Sequence, residues 1–144
     1  MFDKNKRKVV SFDSVNLSLS GMRYSIEYEI LCEDDEAAIT LYGIRYVTGG
    51  GRERVPERTA HCPAAKIVSV LNDCDIMKWN GFHGKHPRNV RDGEMFTFAA
   101  VVNEGEKISA DGSENFPKNY RELKERLHVL LESGDDPQNG REKE

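Results

Sequence analysis

The chain has 144 residues, 38% hydrophobic and 32% charged, with a formal net charge of −4. That length suits one domain able to bury a core without staples, and the net negative charge excludes a polycation built to seek phosphate backbones with its whole surface. Three cysteines, Cys32, Cys62 and Cys74, with no signal-like apolar run behind the basic N-terminus, argue against a disulfide framework. No stretch approaches the ~18 apolar residues of a membrane span, so a cytoplasmic address and no membrane partner are expected.

Residues 8–19 carry Val15, Leu17 and Leu19 in alternation with polar neighbours, the period-two signature of a strand. Ser20-Gly21 offers a turn. In "MRYSIEYEILC" every second residue from Met22 to Cys32 is apolar or aromatic, while Ser25, Glu27 and Glu29 take the other face; this is an antiparallel strand with one wet side. "EDDE" turns the chain into "AAITLYGIRYVT", a central strand in which Gly43 marks a candidate bulge. "GGGRERVPER" then breaks all periodicity and reads as a flexible loop.

Helical spacing returns with Ala64, Ile67, Val68, Leu71 and Cys74, behind a Pro63 suited to a first helical turn. The helix is expected to end before Asn80-Gly81. A long connection leads to "EMFTFAAVV", a strand whose tight "NEGE" hairpin returns through "KISADG". Tyr120, Leu123, Leu127, Leu130 and Leu131 form the stripe of a last helix. The expected order is β-β-β-α-β-β-α: an α+β fold with an antiparallel sheet of about five strands and two helices on one face. One domain spans 8–132, between flexible termini at 1–7 and 134–144.

Charge is distributed in blocks: +3 over residues 1–10, −6 over 11–44, +5 over 45–91 and −6 over 92–144. A basic middle between acidic flanks either pairs with them across the fold or steers an anion. The connection "KWNGFHGKHPRNVRDGEMF" concentrates the chemistry. Trp79, Phe82, Lys85, Arg88 and Arg91 mix aromatic and basic side chains as single-strand binders do. The same residues also read as a helix-to-strand crossover in which Trp79 and Phe82 close the hydrophobic layer while the cations stay in solvent. His61, Cys62, His83 and His86 are the candidate metal or nucleophile set, with His83-x-x-His86 near zinc pair spacing. Cys62 and Cys74 bracket a helix, whose rise of ~1.5 Å per residue keeps them from sharing one ion. The triple glycine lacks the Lys-Ser/Thr of a phosphate loop, and neither a nucleophile elbow nor a dinucleotide fingerprint occurs.

From Trp79 to Tyr120, "WNGF" followed by "DGEMFTFAAVVNEGEKISADGSENFPKNYREL" resembles an uncharacterised bacterial domain of unknown function, over about a third of the chain. The resemblance implies no activity and carries over no site residue. The sequence therefore points to a small non-catalytic domain that binds a protein partner or a ligand, with no cofactor. A metal-dependent hydrolase or redox protein using His61, Cys62, His83 and His86 is the alternative, and nucleic-acid binding through Lys78–Arg91 is a third, disfavoured by the overall charge. Oligomeric state is not readable from the chain.

Overall fold

The computed structural model describes residues 8–22, 24–89 and 93–133. The expected flexible termini, 1–7 and 134–144, lie outside them. The described residues form β1 (Phe12–Ser20), β2 (Ser25–Glu33), β3 (Glu36–Val47), β4 (Gly51–Pro63), α1 (Ala64–Asp73), a single 3-10 turn (Ile76–Trp79), β5 (Phe82–Gly84), β6 (Met95–Val102), β7 (Glu106–Ser113) and α2 (Tyr120–Ser133). One seven-stranded sheet results, in the order β4-β3-β2-β1-β6-β7-β5. All its pairings are antiparallel except β5 with β7.

The α+β class and largely antiparallel sheet agree with the sequence, but the sheet has two further strands and is mixed. The larger correction is β4, expected as a flexible loop. Gly49 and Gly50, at φ 103° and 94°, make only the turn. The following 13 residues form the longest strand. Its first half runs past the start of β2 and is exposed, so no apolar alternation announces it. Pro56 is tolerated there, next to a register shift opposite Leu41 and Tyr42. The other addition, β5, is three residues long and lies within the connection after the 3-10 turn. Such a segment is too short to show a period.

Alternation places the core on one side of the sheet. Leu17 pairs with Tyr28 and Phe98, and Val15 with Ile30 and Ala100; Ile30 continues to Ile39 and Ala60. All of these are buried. The expected stripe of β2 holds at Tyr28 and Ile30, with Ile26 and Cys32 packed beside the core, whereas Met22 and Tyr24 leave it for the surface. Ile67, Val70 and Leu71 of α1 and Tyr120, Leu123, Leu127 and Leu131 of α2 close over this face. Among the described residues no polar or charged side chain is buried with them.

Over β6 and β7 the layer is closed by aromatics instead of helix. The 3-10 turn lays Trp79 edge-on to Phe98 at 4.9 Å, and Phe116 stacks on Tyr120 at 4.3 Å. Gly84 and Gly112, neighbours in register, leave room for the backbone of Asn115; a Cβ on either would collide with its carbonyl oxygen. Two asparagines fasten the N-terminal segment. Asn72 accepts from Val9 N at 2.8 Å and donates to Val9 O at 2.9 Å, and Asn103 accepts from Val10 N at 2.7 Å.

Glu94, just ahead of β6, joins three elements. Tyr24 OH donates to it at 2.5 Å, Tyr120 OH donates to its other oxygen, and Lys124 Nζ lies 3.1 Å away. Burial works to raise the Glu94 pKa, but the hydrogen bonds from Tyr120, Tyr24 and Lys124 outweigh it and hold the carboxyl below the usual range. Tyr24 is pushed up to about 12, first by burial and then by its bond to Glu94. A carboxyl whose folded pKa is depressed contributes stability that is present above its unfolded pKa and lost as pH falls through the folded one. Urea unfolding of Glu94→Gln is therefore expected to show a flatter acid limb than the parent, and Glu94→Ala to cost about 3 kcal/mol at neutral pH. An acid limb unchanged in Glu94→Gln would remove this role.

Candidate functional site: the concave polar face of the sheet

The face opposite the helices carries the alternate residues of every strand. Tyr42, Glu27, Ser18, Thr97, Asp111 and His83 stand in register across six consecutive strands, from β3 to β5. The next row contributes Ile44, Ser25, Ser20 and Ser113. The face is concave: Ile44 and Arg52 from the β3–β4 hairpin and His83, Lys85 and His86 from the opposite edge line one cavity of about 620 Å³. Beyond Gly43 the two strands of that hairpin pair only with each other, so its tip forms a wall beside the sheet.

Two polar clusters bound a floor of hydroxyls. On the hairpin side, Arg54 lies 3.3 Å from Glu27 and 3.5 Å from Glu29, with its guanidinium 4.1 Å from the centre of the Tyr42 ring. Asn16 Nδ2 donates to Glu27 at 2.7 Å and Tyr42 OH donates to Glu29 at 3.1 Å. Burial would lower the Arg54 pKa, but Glu27, Tyr42 and Glu29 together raise it, so the cation is fixed. On the β5 side, His83 Nδ1 sits 2.5 Å from Asp111 Oδ1, and His86 Nδ1 lies 2.7 Å from Ser113 Oγ. Between the clusters, the hydroxyls of Ser18, Ser20, Ser25 and Thr97 make no side-chain hydrogen bond among the described residues.

The expected binding set is divided by the fold. Trp79 is only 2% exposed and its Nε1 donates to Lys118 O at 3.1 Å, so it is a core residue and offers no stacking surface. Phe82 is half-buried against Phe96. Lys85 lines the cavity, Arg88 is exposed outside its lining, and Arg91 lies outside the described residues.

The expected metal or nucleophile set is divided as well. His83 and His86 enter the cavity, whereas His61 and Cys62 are on β4 at the other edge of the sheet and line a separate depression with Asp35, Glu36 and Lys66. His61 and Cys62, adjacent in a strand, point to opposite faces. Among the described residues no group of three or more His, Cys, Asp or Glu side chains is placed to hold a metal ion. All three cysteines are free. Burial pushes the Cys62 thiol up, against the pull of Lys66, and pushes Cys74 up to about 11. Both shifts disfavour the thiolate that a nucleophile requires.

Glu27, Arg52, Arg54, Asp111 and the floor hydroxyls were not singled out from sequence. The polar phases of β1 and β2 already placed Ser18 and Glu27 on the wet side, but nothing in the chain marked that side as concave. Compared with protein family models, with curated proteins and with solved structures, the chain matches none. Among the described residues no helix is long and apolar enough to cross a membrane.

Trp79→Ala is expected to cost about 3–5 kcal/mol in denaturant unfolding, and Arg88→Ala to leave stability within about 0.5 kcal/mol. Equal, small effects for both would return Trp79 to the surface. In the native protein, thiol labelling should reach the half-exposed Cys32 well before Cys62 and Cys74, and labelling of all three at one rate would count against their burial.

Proposed function

We propose that the protein is a small non-catalytic binding domain whose ligand lies in the concavity on the open sheet face. The observation that carries this reading is the convergence of side chains from both sheet edges on one cavity of about 620 Å³, within the usual range of small-molecule sites. A sheet face that only meets water needs neither a projecting wall at one edge nor a histidine-lined wall at the other. The ionisable side chains of the floor already have partners: Glu27 holds Arg54 and Asn16, and Asp111 holds His83. Such pairs present fixed dipoles to a ligand.

A second reading has one observation in its favour. The Ser113–His86 contact has the spacing of a hydroxyl beside its base, and these residues share the cavity wall with Lys85. It differs from the metal-dependent alternative, whose His61 and Cys62 lie at the other edge of the sheet. Turnover of p-nitrophenyl acetate that disappears in Ser113→Ala would favour it over the non-catalytic reading.

The test of binding is a small-molecule fragment screen by amide-resolved NMR, run on the full chain and on Thr97→Trp, which fills the floor of the cavity from an exposed position. Hits are expected to shift the amides of Ser18, Thr97, Asp111 and Ser113, and to lose at least tenfold in affinity in the variant at unchanged melting temperature. Hits confined to other surfaces, or indifferent to Thr97→Trp, would sink the proposal.

A further inference from the structure

We infer that the ligand of this cavity is a polyhydroxylated organic anion, a molecule joining sugar-like hydroxyls to a phosphate or carboxylate group. This rests on the binding reading above and specifies the chemistry of the same site. The pairing of the charges in the lining is the first argument. Its carboxylates, Glu27 and Asp111, are each committed to a cationic or histidine partner within the protein. Its two permanent cations, Arg52 and Lys85, have no ion-pair partner among the described residues.

Their placement is the second argument. Arg52 belongs to the edge strand β4 and Lys85 follows β5 at the far edge, yet both line one cavity. Arg52 and Lys85 stand at the two walls, while the carboxylates of the floor, Glu27 and Asp111, are bonded to Arg54 and His83, so an anionic group meets an uncommitted cation at either wall. Both belong to the basic middle of the sequence, 45–91, whose net charge is +5. Among the described residues no carboxylate of the acidic flanks forms an ion pair with either side chain.

The floor is the third argument. Ser18, Ser20, Ser25 and Thr97 present four hydroxyls that can donate or accept and that have no side-chain partner among the described residues. A hydroxylated body satisfies them, and the anionic group is held at the cationic walls. An extended polyanion is less well matched, since Trp79, the expected stacking platform, is buried.

The experiment is an NMR titration of the full chain with three probes: glucose 6-phosphate, gluconate and glucose. Either charged probe is expected to shift the amides of Ser18, Ser20, Thr97 and Ser113 at concentrations at least tenfold below those glucose requires, and which of the two binds tighter separates phosphate from carboxylate. Arg52→Ala and Lys85→Ala, both at exposed positions, should each weaken that binding at least fivefold without changing the melting temperature. Glucose binding as tightly as the charged probes, or variants without effect, would overturn the anion assignment while leaving a used cavity. Silence of both charged probes would overturn it too, and the fragment screen with Thr97→Trp then decides separately whether the cavity binds anything. Single-stranded decathymidylate shifting the same amides while the small anions do not would assign the site to nucleic acid and likewise overturn the inference.

Discussion

The structure depends on a single division: the strands bury one alternate set of residues, almost wholly apolar, beneath the helices and turn the other set, largely polar, to the open side. Two short helices and an aromatic cluster are enough to cover the first side, because the cross-strand rows from Val15 to Ile39 and from Leu17 to Phe98 already form a continuous layer. Burial contributes roughly 25 cal/mol per Å² of apolar area removed from water, and the gain requires that no uncompensated polar group go with it. That condition is met among the described residues. The consequence is a second face on which no helix packs among the described residues, and this is where the cavity lies.

A flat polar face would be only a surface. Here its two edges are treated differently. At one, the β3–β4 hairpin runs past the first residue of β2 and ends at a glycine turn, carrying Arg52 and Arg54 with it. At the other, three residues of β5 pair in parallel with β7 and hold His83 against Asp111. Both edges are also shielded from pairing with further strands. The charges, the bulge and Pro56 of β4 are features that discourage edge-to-edge association, and β5 is very short.

The polar contacts that hold the periphery follow one pattern, in which a side chain of one element satisfies backbone or hydroxyl groups of another. Asn72 and Asn103 bind the N-terminal segment in the manner of a neighbouring strand. Arg58 Nε donates to Leu131 O at 3.0 Å, joining β4 to the last turn of α2, where carbonyls lack helical partners. Glu94 gathers Tyr24, Tyr120 and Lys124 where the β1–β2 connection, β6 and α2 meet. The aromatic ring that fixes this corner is Tyr120, stacked on Phe116 and close to Phe96.

What the amino-acid order determined by itself was local: the alternation of β1 and β2, the apolar run of β6 with its hairpin return, and the stripes of α1 and α2, hence the α+β class and the faces that β1, β2 and the two helices bury. These are readable because a period of two or of 3.6 is a property of neighbouring residues. Trp79 and Phe82 as closing residues of the hydrophobic layer were legible for the same reason, since they follow directly on a helical stripe. The strand nature of 51–63, the parallel pairing of β5 and the partners of every side chain in the cavity were settled only by tertiary structure. The first half of β4 projects beyond β2 and has no buried face to impose a period, and a three-residue strand is defined by its neighbour alone. The meeting of Arg52 with Lys85 joins opposite edges of a curved sheet, and curvature arises from the pairing of all seven strands together, which no single segment encodes.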